Sequence, residues 1–368
     1  LLHFCTVPSL TAPGLTAPRP GPAGVRLCAN IDRRERTAVS RRAGGRQAGL
    51  MERSGYDPFA RGPFPVGVRE FSARDAARDR VLPAEVRYPG RPGPHPLVVY
   101  SHHSGGHRRS ATFLSTHLAS HGYAVATLDH SEVAVPELAR PGGDGGETGP
   151  QRAARIAEIV ASRVPDLRLI LDHLLGGGVD VECDADRVGL VGHSFGGWTV
   201  LAAAGVDPRV RAVVAHAPGG ATHPQPGVLQ LPLTFDWGRD VPTLYLAGEN
   251  DVPIPPDAVR DVFDRTPATK RLVVLCRADH QHFVDDVEGA HETARTIPLP
   301  PEAAYLQAEA RPMTELCNGE QAHTFVRGLT LAHLDAALRD DPAAARFLAG
   351  DIEGELAARG VEAIAHRS

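Results

Sequence analysis

Ser194 lies in "GHSFGG", where Gly192-His193-Ser194-Phe195-Gly196 fits G-x-S-x-G, a pattern that sets a serine on a sharp strand-to-helix turn. The apolar run Val188 to Val191 precedes it, and the apolar, alanine-rich stretch Trp198 to Ala204 follows. A strand entering a helix with so little connecting chain brings backbone close to backbone, and the two glycines remove side chains that would clash. The turn presents the serine hydroxyl at the carboxyl end of its strand, where open α/β sheets place their sites. It also leaves the Phe195 amide at a helix N-terminus, free to donate to an oxyanion. The chemistry this suits is nucleophilic attack on an acyl carbon.

Such a serine needs a base to take its proton and a carboxylate to orient that base. In the chain order serine, acid, histidine, both follow downstream. "YLAGENDVPIPP" leaves a strand at Gly248 and offers Glu249 and Asp251. Asp251 is the better candidate, because the loop has turned by then and Val-Pro-Ile-Pro fixes its path, with Glu249 the alternative. "LVVLCRADHQHFVDD" leaves the next strand and offers His280 and His282. A second oxyanion donor is expected from the loop after an early strand, "YSHHSGGHR", as the amide of Ser104 or of His103. His102, His103 and His107 have no local carboxylate or cysteine to complete a catalytic zinc site. No metal and no cofactor are expected.

These residues must be held by alternating strands and helices. Leu97–Ser101, Tyr123–Asp129, 210–218, 241–248 and 270–277 read as buried strands. Helical patterns cover 111–121, 151–162, 165–175 and much of 300–360. The order indicates a mostly parallel sheet covered by helices on both faces. Trp198, His216, Trp237 and the glycine-rich loop within 131–150 are expected to line the pocket with His103, giving it a moderately apolar character.

Composition narrows the remaining classes. The 368 residues are 42% hydrophobic and 23% charged, with a net charge of −5, so no basic footprint for nucleic acid is present. No run reaches the ~20 apolar residues that span a bilayer. The five cysteines, Cys5, Cys28, Cys183, Cys276 and Cys317, are scattered without paired spacing, which predicts neither a disulfide framework nor a zinc site. A cytoplasmic location follows as the simplest expectation. Residues 1–50, rich in Pro, Gly, Ala and Arg, lack a periodic apolar pattern, and are expected to be a disordered extension or translated upstream sequence before Met51. Residues 51–368 then form one catalytic domain.

Three stretches, "VVYSHHSGGHRRSATFLSTHLASHGYAVATLDH", "DADRVGLVGHSFGGWTV" and "DHQHFVDD", resemble the α/β-hydrolases of the dienelactone hydrolase and platelet-activating-factor acetylhydrolase type. The similarity runs from about residue 56 to residue 348. It implies the α/β-hydrolase fold, Ser194 as nucleophile, His280 (opening His-Gln-x-Phe) as base, and the amides of Ser104 and Phe195 as the oxyanion hole. The sequence departs from that pattern at two positions. His103 stands where the family usually has glycine. His216 stands where the acetylhydrolases carry their acid, which implies the later acid, Asp251, of dienelactone hydrolases and bacterial polyester-cleaving lipases.

The function expected is cofactor-independent hydrolysis of small-molecule carboxylic esters through a Ser194-His280-Asp251 triad. Acyl transfer or cofactor-free peroxidase chemistry would use the same triad. A non-catalytic binding protein on a hydrolase scaffold would usually have lost one of its members.

Overall fold

A computed structural model describes residues 55–139 and 147–367. Among these, nine strands form one sheet: β1 (Val66–Asp75), β2 (Arg80–Pro89), β3 (His95–Ser101), β4 (Ala124–Leu128), β5 (Cys183–His193), β6 (Val210–His216), β7 (Thr243–Gly248), β8 (Lys270–Leu275) and β9 (Ala363–Arg367). Their spatial order is β1-β2-β4-β3-β5-β6-β7-β8-β9. The six strands from β4 to β8 in that order run parallel. Antiparallel neighbours close the sheet at both ends.

Period-two alternation explains why the inner strands are apolar throughout. Leu97 and Val99 of β3, Val213 and Ala215 of β6, and Tyr245 and Ala247 of β7 enter one core. Val98 and Tyr100, Ala212 and Val214, and Leu244 and Leu246 enter the other. The first core is covered by α3 (Gly149–Leu175), α4 (Phe195–Val206) and α5 (Pro256–Arg265). The second is covered by α1 (Thr112–Ser120) and α8 (Gly319–Leu338). The shorter helices α2 (Ser131–Ala134), α6 (Val287–Thr296), α7 (Tyr305–Ala308), α9 (Pro342–Ala349) and α10 (Ile352–Ala357) complete the chain. The expected α/β architecture is therefore present.

Two elements differ from expectation. Residues 149–175 form one helix, where two were expected, over 151–162 and 165–175, the second opening on Pro165. An interior proline costs about 3 kcal/mol. One side of α3 buries Ile156, Ile159, Leu167, Ile170, Leu171 and Leu174, each contributing roughly 1.5–3 kcal/mol, so packing outweighs the break. The outer strands β1, β2 and β9 were not expected at all. The reading of residues 1–50 as an extension falls outside the described residues, as does the 140–146 part of the glycine-rich loop.

Candidate active site

The elbow takes its shape from close backbone approach. Ser194, between β5 and α4, has φ 58° and ψ −114°, in the left-handed half of backbone space that costs a serine energy. A Cβ on Gly192 would lie 2.2 Å from the Gly196 carbonyl oxygen, and one on Gly196 would lie 2.0 Å from that of Ser101. No larger residue fits at either position. The strained turn is tied down by its own backbone: the Ser194 amide donates to the His216 carbonyl (2.8 Å), while the Ser194 carbonyl accepts from Trp198 and Gly219.

Two loops that follow adjacent parallel strands converge on this hydroxyl. His280 opens a 3-10 turn (His280–Phe283) after β8, and Asp251 follows β7. His280 Nδ1–H donates to Asp251 Oδ2 at 2.7 Å, which leaves Nε2 to accept from the Ser194 hydroxyl at 2.9 Å. The second Asp251 oxygen accepts from the Ile254 amide at 2.8 Å, so the Pro-rich loop does hold the carboxylate in place. Glu249, the alternative acid, is used elsewhere: it accepts from the Arg277 amide at 2.9 Å. Ser194, His280 and Asp251 are brought together, and Glu249 braces the loop beside them.

Electrostatics separates His280 from the imidazoles around it. Burial alone would lower its pKa, but the Asp251 carboxylate, by charge and hydrogen bond, moves it above the usual 6.5. Burial in turn raises the Asp251 carboxyl, which the His280 pair only partly offsets. His193, 4.8 Å away ring to ring, is pushed well below 6.5, chiefly by burial. Burial pushes His103 and His216 down to about 3. At neutral pH those three are uncharged, and of the four only His280 is paired with the buried Asp251 carboxylate.

His282 has a different task. Its Nδ1 bonds Asp279 (2.7 Å) and its Nε2 donates to the Cys317 carbonyl (2.9 Å), while His291 holds the other Asp279 oxygen (2.5 Å). Burial opposes its charge, yet Asp279 and Cys317 together raise it to about 10, while both histidines hold Asp279 below its usual range. The charged pair thus pins the turn that carries His280. Its stabilisation is complete below the unfolded histidine value of 6.5, declines above it, and is gone by about pH 10. On the acid side, the Asp279 contribution is lost as pH falls below 3.8. His282→Ala is expected to cost on the order of 3 kcal/mol of stability while sparing turnover far more than His280→Ala. The melting-temperature gap to wild type should be widest between pH 3.8 and 6.5 and shrink towards pH 10. A gap that does not vary with pH refutes the charged pair.

The second oxyanion donor was expected from the loop after β3. The His102 ring donates from Nδ1 to the His103 carbonyl (2.7 Å) and accepts at Nε2 from the His130 amide (3.3 Å). The His103 carbonyl also accepts from Gly106 (3.0 Å). In a trans peptide the C=O and the next N–H point in opposite directions, so fixing the His103 carbonyl fixes the Ser104 N–H. Across from it Phe195 begins α4, and its amide has no acceptor within the helix.

The expected pocket residues divide. His103 lines an open cleft of about 440 Å³ with Gly105, Gly106, Ser110 and Gln281. Trp198 packs on Phe195 (5.5 Å between rings) and donates to the Pro232 carbonyl (2.9 Å). The His216 ring is buried, stacked on Phe283. Trp237 is not brought to the elbow. It packs on Gly205, near the far end of α4 and roughly 16 Å along the helix from Ser194, as part of the sheet core. A second serine-histidine-aspartate line, Ser101–His130–Asp166, was not foreseen. All three residues are fully buried, so no substrate reaches the Ser101 hydroxyl. Among the described residues no group of three or more His, Cys, Asp or Glu is arranged to hold a metal ion.

The model of the dienelactone hydrolase family matches residues 82–298, more than half of the chain. The chain belongs to the dienelactone hydrolase family. The matched span contains every residue of the Ser194–His280–Asp251 line, and also residues 102–104 and Phe195. The chain is also similar to platelet-activating factor acetylhydrolases over part of its length. That of Canis lupus familiaris is 30% identical over 36% of this chain and 37% of its own. That of Cavia porcellus is 26% identical over 55% and 52%. The chain therefore spans between about a third and a half of these relatives' length. A ferulic acid esterase from Streptomyces cinnamoneus has the same fold, with a TM-score of 0.58 and 24% identity over 78% of this chain and 95% of that one.

Among the described residues no helix is long and apolar enough to cross a membrane. Cys183 and Cys317 are free thiols, Cys317 buried and Cys183 partly so.

Proposed function

We propose that this member of the dienelactone hydrolase family cleaves small-molecule carboxylic esters without a cofactor, through an acyl-enzyme on Ser194. The hydrogen-bonded line from Ser194 through His280 to Asp251 is the observation that carries this reading. His280 Nε2 takes the serine proton as the hydroxyl attacks the acyl carbon, then returns it to the departing alkoxide. Asp251 keeps the Nδ1 proton in place and stabilises the imidazolium that forms. The Phe195 and Ser104 amides meet the charge on the tetrahedral oxygen, which is the larger electrostatic contribution. Water then enters from the open cleft beside Gln281 and, activated by His280, releases the acid. That opening favours hydrolysis over acyl transfer, and the intact triad favours an enzyme over a binding protein.

Labelling with a fluorophosphonate, followed by turnover of nitrophenyl esters of increasing chain length, tests the proposal. Labelling of the wild type but not of Ser194→Ala is expected, and a labelled Ser194→Ala refutes it.

The pH profile follows from the raised His280 pKa. The base works only when neutral, so kcat/KM should climb with pH and level off above an acid limb centred higher than 6.5. A limb centred at or below 6.5 contradicts a base coupled to a buried carboxylate.

A further inference from the structure

Arg163, on α3, is among the largest fully buried side chains of the protein, with 0% exposure. A buried guanidinium is costly unless its donors are used, so its partners show what it is for. Nη1 donates to the His102 carbonyl at 2.7 Å and approaches the Ser101 hydroxyl at 3.4 Å. Nη2 pairs with Glu132 on α2. The plane of the group lies over the Phe195 ring, 4.1 Å from its centroid. One side chain therefore touches both segments that supply the oxyanion amides.

We propose that Arg163 is a positioning residue of the oxyanion hole, fixing the spacing and orientation of the His102–Ser104 segment against Phe195. The inference rests on the ester-hydrolase reading above. On one side, holding the His102 carbonyl sets the peptide that follows it, and the His102 ring passes that constraint to the His103 carbonyl and so to the Ser104 N–H. On the other, the cation–π contact presses on the residue whose amide opens α4. Glu132 supplies the counter-charge that lets the guanidinium stay buried. The Ser101–His130–Asp166 line lies against the same group and holds the end of β3 in place. A lysine cannot replace this arrangement, because an ammonium is a point charge without the planar fork.

The test is kinetic. Arg163→Met paired with Glu132→Leu removes both charges, so that no carboxylate is left unpaired. Removing one oxyanion donor costs about a hundredfold or more in kcat, and loosening both segments should cost at least roughly tenfold to a hundredfold, with KM changed by less than about threefold. Arg163→Lys should fall between this variant and wild type. The acid limb of the pH profile should not move, because the His280 pKa is set by Asp251, Asp279 and burial. A merely structural loss would instead change melting temperature or KM together with kcat. Should the double variant fail to fold, Arg163→Lys, which keeps the charge beside Glu132, decides alone. A folded Arg163→Lys with wild-type kcat overturns the inference. Ser194→Ala, measured on the same esters, separates the two failures: if it is active the hydrolase reading falls, and if it is dead only the role of Arg163 does.

Discussion

Ser194→Ala is expected to lower ester turnover by on the order of a millionfold, with a melting temperature close to that of wild type. The size follows from the role proposed: without the hydroxyl no acyl-enzyme forms, and only the oxyanion amides and substrate binding remain to act on a water attack. The fold should not register the loss, since a single hydroxyl on a half-buried turn is removed and alanine keeps the Cβ. The His216 carbonyl still receives the residue-194 amide, and the glycines at 192 and 196 still admit the turn. Measuring kcat beside a thermal melt checks both halves. Activity within a tenth of wild type removes Ser194 from the mechanism.

Asp251→Asn should cost about ten-thousandfold in kcat, the scale known for the equivalent change in a serine protease triad. The amide would offer an N–H where the carboxylate now accepts, so His280 would turn its proton towards Ser194 and lose the lone pair that serves as base. The site's hydrogen-bond map predicts the opposite for the neighbouring acid. Glu249→Gln keeps an oxygen for the Arg277 amide and should leave turnover within about threefold of wild type. If the glutamate variant dies and the aspartate variant lives, the acid has been assigned to the wrong residue. If both live, the orienting carboxylate comes from elsewhere.

The parts of this site carried by local chemistry were legible in the sequence. A strand run, two glycines and a helix run define the elbow wherever they occur together, because the turn tolerates nothing else. Asp251 could be preferred to Glu249 because a residue needs some loop behind it before it can turn back to the next strand's histidine. The acid and histidine loops were readable because each follows a near-continuous apolar strand. The sheet edges were not. β1, β2 and β9 all pair antiparallel at the ends of the sheet, and charged residues interrupt their apolar signal, exposed in β1 (Arg69, Glu70) and buried in β2 (Glu85, Arg87). Pro165 misled in the other direction, since a breaker weighs heavily in a sequence and little in a helix with buried residues on both sides of it, from Ile156 to Leu174.

Arg163 was invisible for another reason. Its acceptor is a backbone carbonyl 61 residues earlier, and its aromatic partner lies 32 residues later, on a different element. Nothing in the local pattern of α3 sets it apart from the exposed arginines nearby. Trp237 shows the reverse error: a rare aromatic near the right strands invites a pocket role, but a tryptophan is also the side chain best able to fill a core. The His282 network was half readable. Its spacing from Asp279 is local, but the Cys317 carbonyl and His291 that complete it come from other parts of the chain.

The backbone of Ser194 has a consequence for how this enzyme could change over time. A residue held at φ 58° stores on the order of 1–3 kcal/mol that glycine would not, and the rest of the protein must supply that amount for as long as the serine is kept. With Ser194 as the proposed nucleophile, heat resistance and catalysis pull in opposite directions at this one position. A lineage or a laboratory screen selected only for thermal survival would have its simplest gain at residue 194, and would take it by discarding the proposed nucleophile. Thermostable variants that remain active must find their extra stability elsewhere, in elements that do not touch the elbow.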